Sequence, residues 1–174
     1  MNSPLFDGIA PETQERILSF FTERTFQCDD TIMHAGELGN EMFLIRNGEA
    51  VVKVNGSIVH KFTPGAVIGE VCLVQENAKR TATVIASSAR LETLVIDRDK
   101  FNEFRLSMPV LIQQVIWNIA KMLGDKLRFA NEEISSRQGV IRALRSENME
   151  NTRELNQRSW LQRLAATLSF GRSA

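Results

Sequence analysis

The pattern of apolar and polar positions changes twice along the chain. Residues 11–21 have the apolar spacing of a short amphipathic helix, with a proline in its first turn. Residues 24–96 contain short runs with two-residue alternation, as at Ala50 and Val52, which is typical of β-strands. After Asp97 the spacing becomes helical again and remains so.

Turn signals separate the short runs at regular intervals, at Gly36, Gly39, Asn47-Gly48, Asn55-Gly56 and Pro64-Gly65. This spacing favours an antiparallel barrel or jelly roll. We therefore predict an α+β fold: an antiparallel β-roll of about eight short strands, flanked by an N-terminal helix and a long C-terminal helix, with a helical tail.

The segment after the strands predicts a short helix over 97–104 and a longer one that begins at Met108-Pro109. The apolar residues on one side of the longer helix are Ile112, Val115, Ile116, Ile119, Ala120, Leu123 and Leu127. This side is too wide for one contact, so we expect one flank to pack on the roll and the other on a partner. Helix 108–137 is therefore a candidate partner surface, and burial against the chain's own roll or tail is the alternative.

The chain from Gly139 onward contains no Gly-rich turn between two short helices, so a helix-turn-helix is not expected and DNA binding is not predicted. After the polar stretch 145–151, apolar residues recur at helical spacing at Trp160, Leu161, Leu164, Ala165 and Leu168, with Arg158, Arg163 and Arg172 among or after them. Such a helix docks on its own domain, on a protein partner through 155–170, or, least favoured, on a membrane surface. We predict two domains, 1–137 and 138–174.

Composition fits a small globular domain with helical extensions. The chain has 174 residues, 43% of them hydrophobic, and 21 basic residues balance 21 acidic ones. A balanced charge provides no overall attraction to nucleic acid or anionic lipid. With neither a leader pattern nor a long apolar run, we expect a cytoplasmic protein. Cys28 and Cys72 are too few for a disulfide scaffold.

Residues 69–82 form the most informative stretch of the sequence. Gly69 permits close backbone approach, and the next five residues can wind one helical turn with free N–H groups for an anion. Arg80 offers a planar fork that matches phosphate oxygens, whereas the Glu70 carboxylate accepts hydrogen bonds, for example from sugar hydroxyls. The combination predicts a site for a small phosphate-bearing sugar. A partly buried Glu70–Arg80 ion pair that stabilises a loop is the alternative.

Residues from about 20 to 104 resemble the cyclic nucleotide-binding domain family of bacterial catabolite-activator-type regulators, cyclic-nucleotide-dependent kinases and gated channels. The stretches that carry the resemblance are 31–37, 42–50, 62–65, 68–70 and 80–84. Ile68 stands where the family most often has an aromatic residue, and Asp29-Asp30 replaces its usual Gly-Asp turn. Neither departure touches the expected ligand contacts.

The resemblance implies that cAMP or cGMP is the ligand. It implies that Glu70 binds the ribose 2′-hydroxyl and Arg80 the exocyclic oxygens of the cyclic phosphate. It assigns the other contacts to Gly69, Val71, Cys72, Thr81 and Ala82. A hydroxyl at Thr81 is compatible with cGMP as well as with cAMP as the ligand. The family uses the long C-terminal helix for dimerisation and as a lid over the base, and a loose alignment places Lys126, Leu127 and Arg128 there; Arg128 as a solvated helix charge is the alternative.

The leading hypothesis is a signalling module that binds a cyclic nucleotide without altering it and passes the event to the helices after residue 97. The alternative keeps the fold without the ligand, as an assembly or adaptor domain. Catalysis is not predicted, because only His34 and His60 are available as imidazoles, no metal-ligand cluster is visible and no nucleophile stands near a base.

Overall fold

The computed structural model describes residues 2–54 and 57–170. The described residues form eight strands, namely β1 (Thr22–Gln27), β2 (Thr31–Met33), β3 (Glu41–Asn47), β4 (Ala50–Val54), β5 (Ser57–Phe62), β6 (Val67–Ile68), β7 (Val84–Ala86) and β8 (Arg90–Asp97). They also form a 3-10 turn and four helices, namely Pro4–Phe6, α1 (Pro11–Leu18), α2 (Val71–Val74), α3 (Arg98–Ser107) and α4 (Pro109–Phe170). The predicted Asn55-Gly56 turn lies outside the described residues.

The strands form two four-stranded antiparallel sheets. Their orders are β1-β8-β3-β6 and β2-β7-β4-β5, so strands distant in sequence lie side by side. Phe43 in β3, for example, pairs with Val95 in β8 and with Ile68 in β6. The predicted α+β fold with a β-roll is confirmed.

Strand β3 is buried on both faces. Phe43 and Ile45 belong to one apolar cluster with residues of both sheets, among them Val84 and Leu91. Because side chains alternate along a strand, Met42 and Leu44 point the other way, into a second cluster. That second cluster joins the roll to the helices and includes Ile17, Leu73, Ile96, Phe101, Phe104, Ile112, Val115 and Ile119. The run 42–45 is continuously apolar for this reason.

The N-terminal 3-10 turn is fastened to both the roll and helix α4. The Ser3 hydroxyl donates to the Gly65 carbonyl at 2.7 Å. From α4, the Asn118 amide nitrogen donates to the carbonyls of Leu5 at 3.0 Å and Asp7 at 2.9 Å. Asn118 is only 1% exposed, so these bonds satisfy an amide that could not reach water.

The chain divides into two compact units, one up to Leu123 and the other from Gly124 on. In the first unit, α4 buries Ile112, Val115 and Ile119 in the second cluster, whereas Ile116 and Trp117 are exposed, Trp117 by 65%. The wide apolar side is thus split, as expected, into a flank packed on the roll and a flank without cover. The predicted domain boundary at 137/138 concerns the extent of the family domain and stays a prediction.

In the second unit, α4 continues to Phe170 without a break. The predicted tail is therefore helical and continues α4, because the polar stretch 145–151 contains strong helix formers and no proline. Leu127, Ile134 and Ile141 are exposed at seven-residue spacing, and Trp160 is exposed as well. The structure does not describe the other side chains of the tail's predicted apolar face, those of Leu161, Leu164, Ala165 and Leu168. The side chains of Arg158 and Arg163, and the whole of Arg172, also lie outside the described part of the chain. Within the described ranges, no helix is long and apolar enough to cross a membrane.

Candidate ligand site at residues 69–82

Helix α2 begins directly after a sharp turn at Gly69. Gly69 has φ +79°, and a Cβ built there would lie 2.3 Å from Arg80 Nη1 and 2.8 Å from the Glu41 carbonyl oxygen. Only glycine fits this position, since the backbone conformation and the space both exclude a side chain. Glu70 follows with helical dihedral angles and is 3% exposed, and its carboxylate does not cap α2. The predicted helical turn after Gly69 is confirmed.

The prediction that the N–H groups of this turn are free is wrong for two residues. The Cys72 N–H donates to the Gly69 carbonyl at 3.2 Å, and the Leu73 N–H donates to the Glu70 carbonyl at 3.1 Å. A turn this short closes on itself through i→i+3 bonds. An anion at this site would therefore depend chiefly on side-chain donors.

Arg80 is fixed through its backbone by the loop between β2 and β3. Its N–H donates to the Glu37 carbonyl, and its carbonyl accepts from the Gly36 N–H, both at 2.8 Å. The Gly39 N–H donates to the Ala78 carbonyl at 3.1 Å beside them. Three backbone bonds thus hold residues 78–80 against residues 36–39.

The Arg80 guanidinium is enclosed on several sides and is only 8% exposed. Nη1 donates to the Gly69 carbonyl at 3.3 Å and to Cys72 Sγ at 3.4 Å. Cζ lies 5.9 Å from the centre of the Phe43 ring, within the range of a cation–π contact. A buried guanidinium has to be matched by acceptors, and phosphate oxygens are the acceptors its fork fits best.

Gly39 completes this enclosure, and the sequence analysis did not assign it to the site. A Cβ at Gly39 would lie 2.4 Å from both Arg80 Nε and Cys72 Sγ. In the sequence, the close spacing of Gly36 and Gly39 indicates a turn and nothing more. A glycine there is required by the approach of the arginine to the backbone.

The other predicted contact residues lie around α2 and Arg80 with different exposure. Cys72 is buried and its thiol donates to the Ala78 carbonyl at 3.7 Å. Val71 and Ala82 are half-buried, and Thr81 is exposed. Residues 69–72 and 80 are thus brought together, and Thr81 and Ala82 follow Arg80 directly; which of them touch a ligand stays a prediction.

The predicted lid residues belong to the unit from Gly124 on. Leu127 is 63% exposed, and Arg128 donates to Asp125 at 2.7 Å one turn earlier on the same helix. The proposed contact of Lys126, Leu127 and Arg128 with a base stays a prediction.

A second guanidinium, that of Arg24 in β1, faces the same Phe43 ring at 5.5 Å. It forms a two-pronged ion pair with Glu41, with nitrogen–oxygen distances of 2.9 and 2.7 Å. Donation of these hydrogen bonds to Glu41 raises the pKa of Arg24 above its ordinary value. Arg24 therefore keeps its charge throughout the physiological range.

Among the described residues, no three His, Cys, Asp or Glu side chains are grouped as a metal ion would require. Both cysteines are free thiols, Cys28 exposed and Cys72 buried. Residues 69–82 thus bring together an enclosed guanidinium, that of Arg80, and a buried carboxylate, that of Glu70.

Comparison with known proteins identifies this architecture. The family model "Cyclic nucleotide-binding domain" matches residues 23–107. This range includes α2, Arg80 and both sheets apart from Thr22, the first residue of β1. The chain belongs to the cyclic nucleotide-binding domain family through this segment. The resemblance drawn from the sequence is thereby confirmed.

Three curated relatives illustrate how widely the domain is used. The cyclic AMP receptor protein of Thermus thermophilus is 28% identical over 137 residues, which are 76% of this chain and 61% of that protein. Glutaminase 1 of Bradyrhizobium diazoefficiens is 27% identical over 75% of this chain and 21% of its own length. The cAMP-dependent protein kinase regulatory subunit of Schizosaccharomyces pombe is 31% identical over 57% of this chain and 24% of its own. The chain thus spans less than two thirds of each.

Solved structures agree on the fold. The crystal structure of the Thermus thermophilus catabolite activator protein has a TM-score of 0.65 at 28% identity, over 76% of this chain and 62% of that one. A cyclic nucleotide-binding domain from Methylobacillus flagellatus has a TM-score of 0.67 at 24% identity, over 77% and 80% of the two chains. The second likeness supports the fold alone.

Proposed function

We propose that this chain is a cyclic nucleotide sensor that binds cAMP or cGMP at residues 69–82 without altering it. The observation that carries the proposal is the enclosed guanidinium of Arg80, held by Gly69, Cys72 and the Phe43 ring with two glycines leaving room for it. Relatives named for cyclic AMP and for a cAMP-dependent kinase support the same class of ligand.

In this proposal each side chain has a role that follows from its chemistry. Arg80 binds the exocyclic oxygens of the cyclic phosphate through its planar fork. Glu70 accepts from the ribose 2′-hydroxyl, a role that only a group with acceptor oxygens can fill. Gly69, Val71 and Cys72 bring the backbone close to the sugar and phosphate, and Ala82 lines the site after Arg80. The exposed hydroxyl of Thr81 can donate to phosphate or to a guanine, which keeps both nucleotides open.

The proposed output is a movement of the helices after residue 97. Leu73, one residue beyond Cys72 in α2, is buried in the same cluster as Phe101 and Phe104 of α3 and Ile112 of α4. A shift of α2 on ligand binding would change the packing of these helices. The ligand moves that equilibrium only by the difference between its affinities for the two arrangements.

The test is isothermal titration calorimetry of the full chain with cAMP and with cGMP. We expect heat from at least one nucleotide, and we expect Arg80→Ala to weaken binding by at least about 2 kcal/mol, roughly 30-fold, because a charged partner of the phosphate is lost. Glu70→Ala should weaken binding through the ribose. Arg90→Ala and Glu12→Ala remove exposed charges elsewhere and serve as matched controls. No heat from the wild-type chain at millimolar nucleotide would contradict the proposal.

A second copy of the chain is the partner we propose for α4. Leu127, Ile134 and Ile141 are exposed at the seven-residue spacing of a coiled-coil seam, which supports a homodimer whose surface includes the predicted range 108–137. Leu127→Glu should shift sedimentation velocity toward the monomer, and Lys126→Glu is the control on the neighbouring position. A wild-type chain that stays monomeric at high concentration would remove the dimer.

The same exposed flank favours the alternative function, a nucleotide-independent assembly or adaptor domain. A pull-down with and without residues 138–174, at saturating nucleotide, separates the two functions, since an adaptor captures its partner regardless of ligand. A protein partner at 155–170, the absence of catalysis and of DNA binding, and a cytoplasmic location stay predictions.

A further inference from the structure

Helix α2 is held at both ends by arginines that come from different parts of the chain. At its start, Arg80 donates to the Gly69 carbonyl. At its end, Arg98 Nη2 donates to the Cys72 carbonyl and, at 2.8 Å, to the Gln75 carbonyl. The last carbonyls of a helix have no N–H partner within the helix. Arg98 supplies donors that α2 itself lacks.

Cys72 is the residue that both arginines share. Its Sγ accepts from Arg80, and its carbonyl accepts from Arg98. It is buried, and packed interiors leave little space for one residue to shift without its neighbours. Arg80 and Arg98 are therefore connected through a single residue.

Arg98 is also the first residue of α3, and its backbone is fixed. Its N–H donates to the Asn40 carbonyl at 2.8 Å, one residue after Gly39. The Asp97 carboxylate caps α3 by accepting from the Lys100 N–H at 2.8 Å. The Arg98 side chain, which donates to the carbonyls at the end of α2, thus extends from the first turn of α3.

We propose that Arg98 is the polar connection through which occupation of the site at residues 69–82 is transmitted to α3. It is a positioning residue, not a ligand contact, and the inference rests on the proposed sensor function. The apolar contact of Leu73 with the α3 side chains has no preferred direction. Arg98 Nη2 donates two hydrogen bonds, to the Cys72 and Gln75 carbonyls, and these two bonds from one planar group fix both distance and direction, which allows α3 to follow α2.

The experiment is hydrogen exchange measured by mass spectrometry on the full chain, with and without cAMP or cGMP. We expect the nucleotide to change the exchange of amides in 98–107 in the wild-type chain. Arg98→Met should lose most of that change while its nucleotide affinity, by calorimetry, stays within about tenfold of wild type. Arg98→Lys keeps the charge without the planar guanidinium and should be intermediate. Arg105→Met, which removes an exposed guanidinium from the same helix, should behave as wild type.

The outcomes separate the two proposals. A nucleotide-bound Arg98→Met chain with the full wild-type change in 98–107 would overturn this inference and leave the sensor intact. Arg98→Met without any binding, when wild type binds, would also overturn it, because Arg98 would then be needed to build the site. A wild-type chain without binding would remove both proposals. If circular dichroism shows Arg98→Met to be unfolded, Arg98→Lys decides: wild-type coupling in that variant at unchanged affinity would speak against a link that depends on the guanidinium.

Discussion

The substitution Gly39→Ala should weaken ligand binding at residues 69–82, because the added methyl group would displace the Arg80 guanidinium. In Gly39→Ala the new Cβ would lie 2.4 Å from Arg80 Nε and 2.4 Å from Cys72 Sγ, whereas ordinary contacts begin at 3.4 Å. The arginine must therefore retreat by about 1 Å. It cannot swing aside freely, because its backbone is bound on both sides by residues 36–37 and its guanidinium is enclosed.

The size of the effect follows from hydrogen-bond geometry. A donor moved about 1 Å beyond its usual 2.9 Å no longer forms a hydrogen bond. Losing one charged hydrogen bond costs about 1.5–3 kcal/mol, which corresponds to a roughly 10- to 150-fold weaker affinity for a cyclic nucleotide. Calorimetry of Gly39→Ala against wild type measures it, with thermal unfolding recorded alongside to confirm that the variant is folded.

The matched control is Gly124→Ala, where a Cβ meets nothing within 4 Å and where alanine favours the helix. That variant should bind as wild type and be at least as stable. Wild-type affinity in Gly39→Ala would refute the reasoning, because it would mean that the position of the Arg80 guanidinium does not control binding.

Three further predictions concern stability, each measured by urea unfolding against wild type. Phe104→Ala should lower the free energy of unfolding by about 3–5 kcal/mol, because its ring is buried at the junction of roll and helices; a loss below about 1 kcal/mol would contradict that packing. Asn118→Ala should lower the free energy of unfolding by about 1–3 kcal/mol, since the buried Leu5 carbonyl loses its donor. An unchanged midpoint would show that the hydrogen bonds from Asn118 to the N-terminal 3-10 turn do not contribute to stability. Asp97→Ala should cost about 1 kcal/mol through the lost cap of α3, whereas Asp99→Ala, in the same turn without that hydrogen bond to Lys100, should cost less.

The sequence was sufficient to predict those elements that are specified by patterns of neighbouring residues. Alternation and turn residues predict the strands, and Gly69 followed by residues 70–74 predicts the short helix α2. The split of the α4 face into buried Ile119 and exposed Ile116 also follows from the width of its apolar side. These features depend on residues close together in sequence, so the sequence pattern alone predicts them.

The parts that escaped prediction depend on contacts between distant segments. Gly39 belongs to the site because Arg80 and Cys72 approach it across the fold, and nothing local to residues 36–40 indicates that approach. Arg98 closes α2 from 23 residues away. The sequence does not show that the tail continues the same helix, because the polar stretch 145–151 has no apolar periodicity, although it contains no helix breaker.

The chain has two tryptophans and no tyrosine, and both tryptophans, Trp117 and Trp160, lie on the exposed surface of α4. All of its tryptophan fluorescence therefore comes from this one helix. A change in tryptophan fluorescence on addition of a compound thus reports on the surroundings of α4 without a label, and replacing either indole with phenylalanine assigns that change to one half of the helix.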